Sequence, residues 1–337
     1  MDILILGSTS NICAQRVFDN LNNIYNKINT IYCYDMKNMT NFDFLTYMIK
    51  NVKFKNKNMI MNKIRYIYGN FNHEEYEEKV KPLLHKYLTI YVSIPPFCYK
   101  CILNFFDNNT NYNKLVLEKP LALNYSNYCE LKSFFNEKIH VIDHFLYKKD
   151  IQNIINNHKT NEIHKVKIKF LYENDVEDRL GYFDNVGFFI DMFQSHYLSI
   201  LHYLIGSEKL KKLLTMNINI NIRKQYKNYG GKNKVDTYFH VELKDNINTY
   251  IFEGGKAMKK EIKEIEIDGC NYIIQNYNNE YELYFKDILD NCKIESMTKH
   301  HDLFWKITEY IEQHKKINTK LTFYDKNIHV NKTILYS

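Results

Sequence analysis

The feature that most constrains this chain is the rhythm of its first 143 residues, where short apolar strands alternate with helical stretches. "MDILILGSTSNICAQRVFDNL" reads as a buried strand, a turn at Gly7 and a helix from about Asn11. "INTIYCYDMKN" is a second strand, "IRYIYGNF" a third, and "YLTIYVSIPP" a fourth that stops at Pro95–Pro96. "NKLVLEKP" supplies a fifth, followed by the helix "SNYCELKSFFNE", and "KIHVIDHF" a sixth. Strands alternating with helices predict a doubly wound parallel sheet, because each parallel crossover needs a covering connection. This α/β domain is expected to span 1–143.

The remainder, 144–337, has a different pattern. A helix from Lys148 to about Asn157 leads to the strand "EIHKVKIKFLYEN" and then to "GYFDNVGFFIDMFQSHYLS" at 181–199. Apolar residues there fall at Val186, Phe189, Ile190, Phe193, Tyr197, Ile200, Leu201 and Leu204, the helical period of one buried stripe. At about 100° per residue, Asp191 and His196 lie on opposite flanks of that stripe, about 140° apart. Long alternating strands follow in "NININIRKQY", "DTYFHVELKD", "NTYIFEGG" and "KEIKEIEIDG", with helices near 281–291 and 302–316. That half reads as an α+β domain with a mainly antiparallel sheet.

Composition narrows the function classes. With 45% hydrophobic and 25% charged residues, the chain is that of a soluble globular protein. The net charge of +7 suits a phosphorylated substrate as well as a plain solvated surface. No basic patch with interleaved aromatics points to nucleic acid, and no apolar run reaches membrane-spanning length. Seven cysteines without regular spacing argue against a secreted disulfide framework, and the lone Cys98-x-x-Cys101 has no second pair for zinc. A strand beginning at Met1–Asp2 leaves no room for a targeting segment, so the expected compartment is cytoplasmic.

Four motifs carry chemistry. Gly7-Ser8-Thr9-Ser10-Asn11 sits between a strand and a helix, where backbone N–H groups hold a dinucleotide phosphate in a Rossmann-type domain. Alone, it reads equally well as a capped strand–helix turn. The second strand ends at Asp35-Met36-Lys37, and an acidic residue there bonds a ribose 2′-hydroxyl and repels a 2′-phosphate. "LVLEKPLALN" places Lys119 at the carboxyl end of a strand, where open α/β sheets bind ligands. "HVIDHFLYKKDIQNII" puts Asp143 and His144 at a strand tip and Lys148 at a helix start, so that His144 and Lys148 can clamp a phosphate. Asp143 is the carboxylate available to hold the His196 imidazole as a general base.

Together these stretches resemble the glucose-6-phosphate dehydrogenase family. "IDHFLYKKDIQNI" is similar to its I-D-H-Y-L-G-K-E-x-V-Q-N signature, and "GYFDNVGFFIDMFQSH" to G-Y-F-D-E-x-G-I-I-R-D-x-x-Q-N-H. "YVSIPPFCY", "LVLEKP", "GGKAM", "YELYFKDIL" and the Trp305 segment "HDLFWKI" follow the family in order. The resemblance implies oxidation of C1 of glucose 6-phosphate to 6-phosphogluconolactone, a step of the pentose phosphate pathway. It implies His196 and Asp143 as the catalytic pair, with His144, Lys148, Lys119, Asp191, Glu173 and Lys256 around the sugar phosphate. For the cofactor it implies Gly7, Thr9, Ser10, Asn11, Ile12, Asp35, Met36, Ser93, Pro95 and Lys119. NADP is the expected cofactor, with NAD open because Asp35-Met36 replaces the arginine that reads the 2′-phosphate. A homodimer is the expected assembly.

Four further positions depart from the family. Ser10 replaces a glycine and Asn11 an aspartate of the cofactor turn, Tyr147 replaces the glycine beside the phosphate residues, and Glu261 stands where an arginine is expected. These departures leave a degenerate sugar-phosphate-binding protein as an alternative. "LVLEKPLAL" and "HYLSILHYLIG" also resemble the Gfo/Idh/MocA oxidoreductases. The five-residue gap from Asp191 to His196 favours the first family.

Overall fold

A computed structural model describes residues 1–10, 12–52, 60–159, 162–175, 180–214, 219–228, 234–275, 285, 298–313, 317–325 and 328–335. The chain divides into two compact units. The first comprises Met1–Ala122, Ser126–Tyr147 and Tyr277–Lys299; the second comprises Leu123–Tyr125, Lys148–Asn276 and His300–Ser337.

The first unit is built on six strands: β1 (Asp2–Leu6), β2 (Thr30–Asp35), β3 (Ile64–Tyr68), β4 (Leu88–Val92), β5 (Lys114–Glu118) and β6 (Ile139–Ile142). Their order is β3-β2-β1-β4-β5-β6, and every pairing is parallel. This is the doubly wound arrangement expected from the alternation. The central strands are buried on both faces, which is why "DILIL" and "LTIYV" are continuous apolar runs. Phe18, Leu21, Phe44 and Met48 pack one face with Ile3, Ile5, Ile31 and Cys33.

The second unit carries an eight-stranded sheet of order β12-β11-β7-β10-β9-β8-β13-β14. The strands are β7 (Lys165–Leu171), β8 (Asn219–Asn228), β9 (Lys234–Lys244), β10 (Thr249–Gly255), β11 (Ile262–Ile267), β12 (Cys270–Ile273), β13 (Ile317–Asp325) and β14 (Ile328–Leu335). The sheet is mainly antiparallel, with parallel pairings of β7 with β10 and of β8 with β13. The expected helix near 302–316 is Thr298–Gln313, while the one expected near 281–291 lies, Phe285 apart, outside the described residues.

The stretch 181–199 departs from the single α-helix that its apolar period predicts. Helix Leu180–Val186 ends at Gly187, whose φ of +76° breaks the run. The chain then re-enters helix and winds as a π-helix over Ile190–Tyr197, before an α-helix over Leu198–Lys212. The predicted apolar stripe is buried throughout.

Candidate active site

In the first unit, register alone gathers the site residues. Leu6 pairs with Tyr34 on one side and Val92 on the other, so the next residues, Gly7, Asp35 and Ser93, lie abreast at the carboxyl edge. Likewise Glu118 pairs with Ile142, which sets Lys119 beside Asp143. This edge is where ligands of doubly wound sheets bind.

Lys119 and Asp143 form a buried ion pair, Nζ to Oδ2 at 3.3 Å, with side chains 1% and 0% exposed. The other carboxylate oxygen accepts the Phe145 N–H at 2.9 Å. Burial pushes the Lys119 ammonium below its ordinary value, and the Asp143 charge opposes that shift. The preceding Glu118 is fixed by two phenols: Tyr91 donates to its carboxylate and Tyr99 to its backbone carbonyl. Sequence reasoning missed these tyrosines, whose positions on β4 and the following helix carry no local signal. His144 lies in the short turn His144–Tyr147, its ring 4.9 Å from that of Phe145. Tyr147, one of the departures, packs against the first unit's hydrophobic core.

The cofactor turn is tightly built. Gly7 has φ +87°, and a Cβ there would lie 2.5 Å from Ile94 Cγ2 and 2.6 Å from the Ser93 carbonyl oxygen. Only glycine lets β1 and β4 release their chains this closely. Ser10 takes the capping position: its Oγ accepts the Cys13 N–H at 3.2 Å and bonds the Ser93 hydroxyl at 2.9 Å. Asp35, 6% exposed, accepts the Thr9 N–H at 2.8 Å, which ties the end of β2 to the turn. Met36 is 54% exposed, and the Lys37 ammonium lies 5.2 Å from the centre of the Tyr47 ring. Ile12 leads into the helical turn Cys13–Val17, and Pro95 precedes the turn Pro96–Cys98. Asn11 lies outside the described residues. A glycine-fixed backbone turn opening onto a helix, beside a carboxylate at the end of β2, fits a dinucleotide.

In the second unit, the π-helix changes the expected relation of Asp191 and His196. Its hydrogen bonds run five residues back, as from the Leu198 N–H to the Phe193 carbonyl. Residues five apart then fall about one turn above each other, so Asp191 and His196 share a flank instead of facing apart. The separation read from an α-helical period is corrected accordingly. Asp191 Oδ1 accepts the Tyr182 hydroxyl at 2.6 Å, and His196 is 5% exposed.

Lys148 is buried at the position before helix Lys149–His158. The Lys256 ammonium lies 4.3 Å from the centre of the Tyr172 ring, with the Phe183 and Phe188 rings at 6.0 and 5.8 Å. Aromatic faces hold an ammonium without neutralising it. Glu173 is exposed beyond β7 and accepts the Glu261 N–H at 3.4 Å.

Comparison with known proteins adds to this geometry. Residues 4–153 match the family domain described as "Glucose-6-phosphate dehydrogenase, NAD binding domain", and residues 151–224 match "Glucose-6-phosphate dehydrogenase, C-terminal domain". The Glucose-6-phosphate 1-dehydrogenase of Helicobacter pylori strain J99 is 28% identical over 309 residues, 78% of this chain and 73% of that protein. That of Borreliella burgdorferi is 27% identical over 326 residues, 87% of this chain and 66% of that protein. Among solved structures, a glucose-6-phosphate dehydrogenase in complex with glucose-6-phosphate superposes with a TM-score of 0.73 at 17% identity, covering 93% of this chain and 91% of that one. The WlbA (WbpB) dehydrogenase from Thermus thermophilus has a TM-score of 0.65 at 10% identity, covering 95% of this chain and 96% of that one, so that the fold is shared more widely.

Proposed function

The chain belongs to the glucose-6-phosphate dehydrogenase family, and from that premise we propose that it oxidises C1 of glucose 6-phosphate to give 6-phosphogluconolactone. Bound nicotinamide supplies the hydride acceptor. His196 takes the proton of the C1 hydroxyl, and we assign Asp143 the role of holding its imidazole in the accepting tautomer. His144 and Lys148 bind the phosphate, Asp191 the sugar hydroxyls, and Lys119 both sugar and nicotinamide. Lys256 and Glu173 complete the pocket. The observation that carries this reading is the buried Lys119–Asp143 pair at the ligand-binding edge of the sheet. A buried ion pair is a costly way to stabilise a fold, so its place at that edge favours a functional role.

NADP is what the family resemblance implies, but the residues at the end of β2 support NAD. A 2′-phosphate would stand against the Asp35 carboxylate, which the Thr9 N–H holds in place. At ~5 Å and an effective dielectric near 20, each like-charge pair costs about 3 kcal/mol. The residue after Asp35 is Met36 and not an arginine, and Lys37 rests on Tyr47. The test is nicotinamide reduction with glucose 6-phosphate, alongside isothermal titration of each dinucleotide. Turnover lost in His196→Asn, with at least tenfold tighter NAD than NADP, supports the reading. Wild-type turnover in His196→Asn removes the base assignment.

A further inference from the structure

A buried carboxylate far away in sequence holds the start of the helix that carries Asp191 and His196. Asp236 on β9 is 6% exposed, and its two oxygens accept the successive N–H groups of Phe188 and Phe189 at 2.8 and 2.7 Å. Gly187 makes room for this contact, since a Cβ there would lie 2.8 Å from Asp236 Oδ1. Lys224 on the adjacent β8 places its ammonium 3.8 Å from the centre of the Phe189 ring and 3.0 Å from Glu312 Oε1. Burial pushes the Asp236 carboxyl up, and the Lys224 charge and the two amides pull it back.

Satisfying two helix-start amides does not require a charge. A serine, threonine or asparagine cap placed locally would do so at less desolvation cost. What the carboxylate on β9 adds is a fixed reference to the sheet. From Gly187 the chain turns once to Asp191, whose N–H bonds the Gly187 carbonyl at 3.1 Å, and once more to His196. We infer that Asp236 is a positioning residue: by bonding both amides it fixes the rotation of the 188–197 helix, and with it the directions of Asp191 and His196. The inference rests on the functional reading above.

Asp236→Asn keeps the shape but turns an amide donor towards one of the two N–H groups. The expected result is a kcat reduced about 10- to 100-fold, with weaker glucose 6-phosphate binding by calorimetry and unchanged NAD binding. Gly187→Ala attacks the same contact from the other side and should give a like defect. The double variant should then be no worse than the worse single one, because both remove one interaction. A folded Asp236→Asn protein with wild-type kcat and sugar-phosphate affinity overturns the inference. Should the variants not fold, hydrogen exchange on the wild-type protein decides. Phe188 and Phe189 amides as slow as those of central β9 agree with it, and loop-like exchange contradicts it. A wild-type protein that reduces neither dinucleotide sinks the functional reading instead, and sugar-phosphate affinity and exchange still judge Asp236.

Discussion

Two neighbouring stretches of one sheet edge differ in how much of the family's sequence they keep. Past β5 and β6 the family's charged residues stand in place, and Lys119 and Asp143 meet as a buried pair. Past β1 and β2 the glycine and arginine positions hold Ser10 and Met36. The difference follows from what each stretch must supply. On the proposed function the first stretch handles the proton and the sugar, which needs particular side chains. Phosphate binding by a turn needs backbone N–H groups, and Gly7 keeps that backbone in place. Ser10 costs the turn little, because it caps the helix and reaches Ser93.

The largest effect is expected from His196→Asn, on the helix of the second unit. It should lower kcat by about a thousandfold, within the range for a lost general base, while glucose 6-phosphate affinity measured by calorimetry stays within about threefold. Lys119→Met should cost about a hundredfold in kcat/KM with either dinucleotide. That substitution also tests the buried charge. The folded-state value of Lys119 is depressed, so between it and 10.5 the unfolded chain binds more protons, and wild-type stability gains as pH rises through that window. Melting curves from pH 7 to 10 should show the gain in wild type and not in Lys119→Met.

On the cofactor side the effects should be smaller. Asp35→Ser combined with Met36→Arg should shift the ratio of NADP to NAD dissociation constants by at least tenfold, about 1.4 kcal/mol, towards NADP. Ser10→Gly should change stability by only a few tenths of a kcal/mol, because glycine also serves as a cap. A large loss in both stability and NAD affinity would show that the Ser10–Ser93 contact, and not the backbone, shapes the turn.

How much of this could be read from sequence also differs by region. The six parallel strands were legible because buried strands are short apolar runs bounded by glycine, proline or a charged turn, as at Gly7 and Pro95. The motif residues on those edges were legible for the same reason. The π-helix was not, since one apolar stripe at 186–204 serves either winding, and the choice of carbonyl is made by packing. Asp236 gave no signal because its partners lie 47 and 48 residues away, at a helix start whose packing the sequence does not display. Strands β12, β13 and β14 also went unread, their polar alternation being too weak beside the asparagine- and lysine-rich background.

The most direct test of the account is to incubate the purified chain with glucose 6-phosphate and NAD or NADP and to follow absorbance of the reduced nicotinamide. Reduction is expected, faster with NAD at equal concentration and about a thousandfold slower in His196→Asn. No reduction with either dinucleotide, while glucose 6-phosphate still raises the melting temperature, would contradict it and leave a sugar-phosphate-binding protein without dehydrogenase activity.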